Sequence, residues 1–424
     1  MITDELILYR DFKAEDVLHD MITLFEGDGN ASLAYSASGR LVSLSVERGF
    51  RGNLWHIFLT YLLANNENVF SKACEIRGHA EGSINDIALH DMGVFYQMFF
   101  YDIEDIDRKY DTDCFGMLTD FEMPDEGKMF NKRIRDRICE LSDSLSLSAN
   151  PEEMKVLLER FYGDFGVGLF GLHKAFKIHE RLQDNSFDIV PIKRVAHIGL
   201  EDLVGYQAQK EKLMANTEAF LSGLPANNCL LYGDSGTGKS SSIKGIMNRY
   251  YERGLRLIEL YKHQFRFLND IMAILKERNY RFIIYMDDLS FEDQETEYKY
   301  LKAIIEGGLE KKPDNVLIYA TSNRRHLIHE GFKDKLDRGE NDDIHESDTV
   351  EEKLSLYHRF GMTIYYGKPT PKEFKNIVKT LAERYAVDMD DEELLLKANR
   401  WEIEHGGLSG RTARQFIDHV MSTE

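Results

Sequence analysis

The chain has 424 residues, 43% of them hydrophobic and 30% charged, and its net charge is −20. That length is too great for one ordinary hydrophobic core and suits two or three domains of a globular protein. No apolar run reaches the ~18 residues of a membrane span, and the N-terminus lacks a basic stretch followed by an apolar one, so neither a span nor a secretory leader is expected.

Cys74, Cys114, Cys139 and Cys229 have no metal or redox spacing, which fits free thiols in a reducing cytoplasm. Residues 1–200 carry −13 of the charge and residues 201–424 carry −7. Such a surface repels nucleic-acid phosphates, which argues against DNA or RNA as the partner while leaving room for a local basic groove.

Residues 1–190 read as a mainly helical domain. Residues 12–24 are amphipathic and 54–70 strongly apolar, and 84–101 end in Phe95-Tyr96-Gln97-Met98-Phe99-Phe100-Tyr101. A buried helix face explains that run more readily than a partner-binding patch. The acidic stretch 101–126 predicts a solvated loop. Asn150-Pro151-Glu152-Glu153 opens a helix reaching residue 161, with Asn as N-cap, Pro at the first position and Glu at the third. Gly163, Gly166, Gly168 and Gly171 then interrupt before a further helical stretch at 172–182.

From Pro191 the pattern changes. Apolar strands are predicted at 229–232, 255–260, 282–286, 316–320 and 362–366, with helices between them. That alternation demands a parallel sheet covered on both faces, an α/β core over 191–368. Beyond it only helical patterns remain, at 371–385, 391–404 and 410–421, predicting a helical lid over 369–424.

Between the first strand and its helix stands Gly233-Asp234-Ser235-Gly236-Thr237-Gly238-Lys239-Ser240, followed by Ser241. This is the G-x-x-x-x-G-K-S pattern of a phosphate-binding loop. Its glycines let backbone N–H groups curl inward at phosphate oxygens, at the positive end of the next helix. Lys239 is placed to reach the β- and γ-phosphates, and the Ser240 hydroxyl to ligate Mg²⁺. The strand 282–286 ends in Asp287-Asp288. Asp287 suits the orientation of Mg²⁺ and Asp288 the polarisation of an attacking water. Asn323, after the strand 316–320, suits the positioning of that water. Arg359 and Arg411 are candidates for stabilising transition-state charge, the first as an arginine finger and the second from the lid.

In this order these pieces resemble the AAA+ superfamily of ATPases, over roughly half the chain from Asp202-Leu203-Val204-Gly205-Tyr206 to Arg414. More closely, the motifs are similar to a bacterial AAA+ family known only as a domain of unknown function. They include Asn216-Thr217-Glu218-Ala219-Phe220, Asp287-Asp288-Leu289-Ser290-Phe291-Glu292, Ala320-Thr321-Ser322-Asn323-Arg324-Arg325 and Ser409-Gly410-Arg411-Thr412. The stretch 166–176 shares this resemblance. The resemblance implies ATP and Mg²⁺ as ligands, with Val204 and Gly205 on the adenine side. It makes 233–240 the Walker A loop, Asp287-Asp288 Walker B, Asn323 sensor 1, Arg359 the finger and Arg411 sensor 2. A ring or other homo-oligomer follows, because such a finger usually acts on a neighbour. The family usually has Asp-Glu where this chain has Asp-Asp. Asp is one methylene shorter, which predicts slow turnover or a switch. Glu292 is a weak alternative base.

The insertion 330–352 is basic at first and then acidic, and reads as a solvated loop or as a contact with a neighbouring subunit or a substrate. The expected function is an Mg²⁺-dependent ATPase that remodels a protein partner, with residues 1–190 as its recognition module. A nucleotide-gated binding or signalling switch and a DNA-linked loader are the rivals. A small-molecule kinase fits the Asn323, Arg359 and Arg411 series poorly.

Overall fold

The structure, a computed structural model, describes residues 2–12, 14–122, 132–181, 183–193, 195–291, 297–306, 313–323 and 359–423. The chain divides into two compact units, Met1–His173 and Lys174–Glu424.

The first unit is helical. Its helices are α1 (Glu15–Glu26), α2 (Ala31–Arg48), α3 (Leu54–Asn65), α4 (Val69–Arg77), α5 (Ser83–Phe99), α6 (Glu104–Tyr110), α7 (Lys132–Ser146), α8 (Pro151–Phe165) and α9 (Gly168–Leu172). Asparagines set four of the starts. The side chains of Asn30, Asn53, Asn68 and Asn150 accept backbone N–H groups of the first turns of α2, α3, α4 and α8. Each satisfies donors that a helix start leaves orphaned, for about 1 kcal/mol.

These caps correct two expectations. The apolar stretch 54–70 is two helices, because Asn68 closes a capping box with Ser71 and restarts the chain. The acidic stretch 101–126 contains α6, begun where Asp102 accepts the Glu104 N–H at 2.9 Å. The aromatic run splits: Phe95, Met98 and Phe99 are buried, whereas Phe100 is 66% exposed. Asp91, fully buried, accepts the backbone N–H groups of Ile7, Leu8 and Tyr9 at 2.9, 2.7 and 3.0 Å and pins the N-terminal segment to α5.

The second unit carries a seven-stranded sheet of order β2-β1-β4-β5-β6-β3-β7. The strands are β1 (Ala175–Arg181), β2 (Ser186–Pro191), β3 (Cys229–Gly233), β4 (Leu255–Glu259), β5 (Arg281–Met286), β6 (Val316–Ser322) and β7 (Met362–Tyr366). The last five are the expected strands, all parallel. They are Val-, Ile- and Leu-rich and nearly continuously apolar, as a sheet covered on both faces requires.

The hairpin β1–β2 extends this core at the β4 edge and corrects the reading of 172–182 as helical. Phe176 and Ile178 are buried and alternate with exposed Lys177 and His179, the two-residue period of a strand. Asn185, at φ +52°, makes the turn, and Asp184 accepts the Ser186 hydroxyl at 2.6 Å. The hairpin thus belongs to the second compact unit rather than to the N-terminal module.

Helices α10 (Gln207–Leu221), α11 (Lys239–Tyr250), α12 (Leu268–Lys276) and α13 (Tyr298–Glu306) flank the sheet. The lid is α14 (Pro371–Arg384), α15 (Asp391–Glu404) and α16 (Gly410–Thr423), with its own core around Phe374, Ile377, Leu394 and Phe416. Thr370 and Glu373 form a capping box ahead of α14, with Pro371 at its first turn. No helix among the described residues is long and apolar enough to cross a membrane.

Candidate functional site

The strand order decides which residues meet. β6 lies between β5 and β3, so the carboxyl ends of these three strands converge on one edge. The phosphate-binding loop leaves β3, Asp287 and Asp288 leave β5, and Asn323 leaves β6.

The loop folds as its glycines dictate. Gly233, Gly236 and Gly238 have φ of +132°, +75° and +91°, values that other residues rarely adopt. Space forbids side chains as well. A Cβ on Gly233 would lie 2.2 Å from the Tyr366 carbonyl oxygen, and one on Gly238 would lie 2.2 Å from a Leu203 methyl. The second contact packs the segment before Val204 directly against the loop. Thr237 is buried and donates to the Asp234 carbonyl at 2.8 Å, and Ser235 is exposed at the tip.

Lys239, 6% exposed, opens α11. Its ammonium donates to the carbonyls of Gly233 and Asp234 at 2.9 and 2.7 Å and to Asn323 Oδ1 at 2.9 Å. Burial lowers its pKa, and the charges of Asp288, Asp234 and Asp287 work against that shift. Asn323 turns its amide the other way and donates to Asp288 Oδ1 at 2.7 Å. It therefore joins Lys239 to Asp288. Asp288 is held in the left-handed region at φ +50°, with its N–H on the Thr321 hydroxyl at 2.9 Å.

Asp287 Oδ1 accepts the hydroxyls of Ser240 at 2.7 Å and Thr321 at 2.6 Å. Partial desolvation alone would raise the Asp287 carboxyl. Hydrogen bonding from Thr321, the Tyr285 phenol beside the carboxylate, the Ser240 hydroxyl and the charge of Lys244 outweigh it, and its pKa falls below the ordinary carboxylate value. A serine hydroxyl beside a carboxylate is a hard oxygen pair that fits Mg²⁺. Among the described residues no group of three His, Cys, Asp or Glu forms a cage.

Arg411, on the first turn of α16, stands beside the loop. Its N–H donates to the Gly236 carbonyl at 3.2 Å, and its charge is felt at Lys239. Ser409 caps that helix by accepting the Thr412 N–H at 3.0 Å. A cleft of about 450 Å³ lies between core and lid, lined by Val204, Gly205, Tyr206, Gly367, Pro369 and Ile377 among others. Tyr206 stacks on Tyr366 with ring centroids 5.2 Å apart, and its hydroxyl donates to the Gly367 carbonyl at 2.9 Å. Asp234 Oδ2 accepts the Lys368 N–H at 3.0 Å, which ties the loop to the hinge of the lid. Sequence patterning does not single out Tyr206, Thr321 or Lys368. Their roles come from register and from positive φ at Tyr206, neither of which leaves a local signal.

Arg359 is not brought to this cluster. It sits half-buried just before β7, whose first residue pairs with Cys229 and whose last pairs with Gly233. It is therefore at the sheet edge opposite the phosphate-binding loop, about 15 Å of strand away. Arg324, Arg325, Glu292 and the insertion 330–352 lie outside the described residues.

Two single-site mutants of RuvB from Thermotoga maritima are similar to this chain at 18% and 19% identity, with TM-scores of 0.36 and 0.37. Each match covers 53% of this chain and 65% of the RuvB chain. The T. maritima RuvB described as a Holliday junction branch migration motor is similar at 17% identity and a TM-score of 0.32, over 53% of this chain and 72% of that one. No curated protein matches the chain. The family model described as "Protein of unknown function (DUF815)" matches residues 172–424, which begin at the hairpin and take in the whole site and the lid. The chain belongs to that family, and its second unit has a P-loop α/β fold, with five parallel strands in the order β4-β5-β6-β3-β7 and the glycine-rich loop leaving β3.

Proposed function

We propose that this protein is an Mg²⁺-dependent ATPase whose site is completed by a second copy, and that it uses ATP to remodel a protein partner held by residues 1–173. One observation supports this above the others: Asn323 bonds at once to Lys239 and Asp288. The three donors of the Lys239 ammonium already have three acceptors. A triphosphate in the loop must take at least one of them, and Asn323 is the side chain that can leave. Its amide is then free to turn, and Asp288 gains room to accept a proton from water. Nucleotide arrival and activation of the base are thereby coupled. Ser240 and Asp287 would hold Mg²⁺, which supplies charge neutralisation across the phosphates. Arg411 would add positive charge from the lid. Arg359, at the opposite sheet edge, would serve a neighbour's site.

ATP binding and turnover of wild type and Lys239→Ala test the reading. We expect turnover in the wild type and a loss of about 100-fold or more in the variant. Absence of both binding and turnover in the wild type would end it.

The shorter Asp288 supports a second reading, a nucleotide-gated switch with little hydrolysis. It predicts tight binding, negligible turnover and no gain from Asp288→Glu. A DNA-linked role is opposed by the net charge of −20. Stimulation of turnover by duplex DNA at low salt would revive it, and no binding at any salt would close it.

A further inference from the structure

The second unit contains several buried or half-buried tyrosine hydroxyls, and nearly all are engaged. Tyr319 exchanges hydrogen bonds with Asn216 and Thr217, Tyr366 donates to Ser242, Tyr250 donates to Glu218 and Tyr206 donates to Gly367. Tyr285 is the exception. It is 1% exposed, and among the described residues its hydroxyl is the one buried hydroxyl with no hydrogen-bond partner. An orphaned hydroxyl in a packed interior is costly, and phenylalanine would fill the same space without that cost. Something other than the shape of the core needs the oxygen.

Its position indicates what. Tyr285 stands on β5 and Asp287 directly follows the strand's last residue, Met286, so the alternation of the strand carries the two side chains to the same side. The phenol reaches toward Asp287, Ser240 and Thr321 without closing a hydrogen bond of good geometry to any of them. Asp287 Oδ1 is meanwhile shared by the Ser240 and Thr321 hydroxyls. If Ser240 turns to a metal–nucleotide complex, Asp287 loses one of those two donors just when its orientation matters most.

We propose that Tyr285 is a positioning residue that replaces Ser240 as a hydrogen-bond donor to Asp287 when Mg²⁺ and nucleotide are bound. The inference rests on the ATPase reading above. It goes beyond it in assigning a role to a buried side chain outside the loop and the strand-end carboxylates.

The test uses the full chain, with ATP as the probe and Mg²⁺ varied, and reads nucleotide binding rather than turnover. In Tyr285→Phe we expect ATP affinity in EDTA to match the wild type, and the melting temperature to be equal or higher. The Mg²⁺ concentration that half-maximally tightens ATP binding should rise about 10-fold, as is usual when an outer partner of a metal ligand is lost. A merely structural hydroxyl would change the melting temperature and leave the Mg²⁺ dependence alone. If the wild type responds to Mg²⁺ and Tyr285→Phe responds identically, this inference is wrong and the ATPase reading stands. If the wild type binds ATP with no response to Mg²⁺, or does not bind it, both fall.

Discussion

Two carboxylates of the helical unit and the two strand-end carboxylates of the α/β unit are used in opposite ways. In the helical unit Asp91 is buried and spends both oxygens on three backbone N–H groups. Asp107 likewise receives the backbone N–H groups of Cys114, Phe115 and Gly116 and the Thr112 hydroxyl. In the α/β unit, Asp287 and Asp288 receive side-chain donors: the hydroxyls of Ser240 and Thr321, and the amide of Asn323. Backbone donors cannot leave without unfolding the segment that carries them. Side-chain donors rotate away at the cost of one hydrogen bond, about 1 kcal/mol net. A carboxylate bound by main chain is therefore a structural tie. One bound by rotatable groups at an open sheet edge is available for exchange with a ligand.

Substitutions on the two sides should behave accordingly. The largest effect is expected from Lys239→Ala, where turnover falls by about 100-fold or more while the melting temperature holds. A large drop in melting temperature would mean that the loop depends on Lys239 as a strut. Next comes Asp91→Ala, which leaves three backbone N–H groups, that of Tyr9 buried, without an acceptor. We expect a loss of about 3 kcal/mol or more, read as a fall of roughly 6–12 °C in the transition of the helical unit, with ATP affinity unchanged. Altered ATP affinity would contradict the division of roles. Asp288→Glu lengthens the base by one methylene and should raise turnover several-fold. An unchanged rate favours the switch.

The smallest effect is a pH dependence. Burial alone would raise the Asp107 carboxyl, but its four hydrogen bonds hold its pKa below the ordinary carboxylate value. A lowered folded pKa stabilises above the unfolded value of about 3.9, and the gain is lost as pH falls through the folded value. The melting temperature of Asp107→Asn should therefore lie below wild type at pH 7, with the gap closing only below about pH 4. A gap that is constant down to pH 3 would remove the charge from the explanation.

The phosphate-binding loop, the five parallel strands and the lid were legible because each is a local signal: glycines at fixed spacing, continuous apolar runs, helical periods with caps. The hairpin β1–β2 was not, because the clean alternation runs only from Phe176 to His179, too short to set a strand period apart from a helical one. Helix α2 was equally quiet: Ala34, Ala37, Ser38 and Ser45 are buried in it, so small residues replace the apolar stripe that betrays a packed helix. The site divides in the same way. Lys239 and Ser240 stand at the helix start behind the loop, Asp287, Asp288 and Asn323 at strand ends, and each can be read one by one. The roles of Thr321 and Tyr285 exist only through the register of β5 against β6, where Met286 pairs with Ala320. Arg359 is a third kind of residue. Its place at the far edge of the sheet follows from the pairing of β7 with β3, and the proposed finger role is what asks for a second copy.

The most direct test of the shared site is therefore complementation. Lys239→Ala retains Arg359 but has a disabled site, and Arg359→Ala has an intact site but no finger. Each should be inactive alone, and their mixture should regain a substantial fraction of wild-type ATP turnover, with a specific rate that rises with protein concentration and then plateaus. A mixture no more active than the sum of its parts, with Arg359→Ala alone as fast as wild type and a rate independent of concentration, would contradict a site built between two copies.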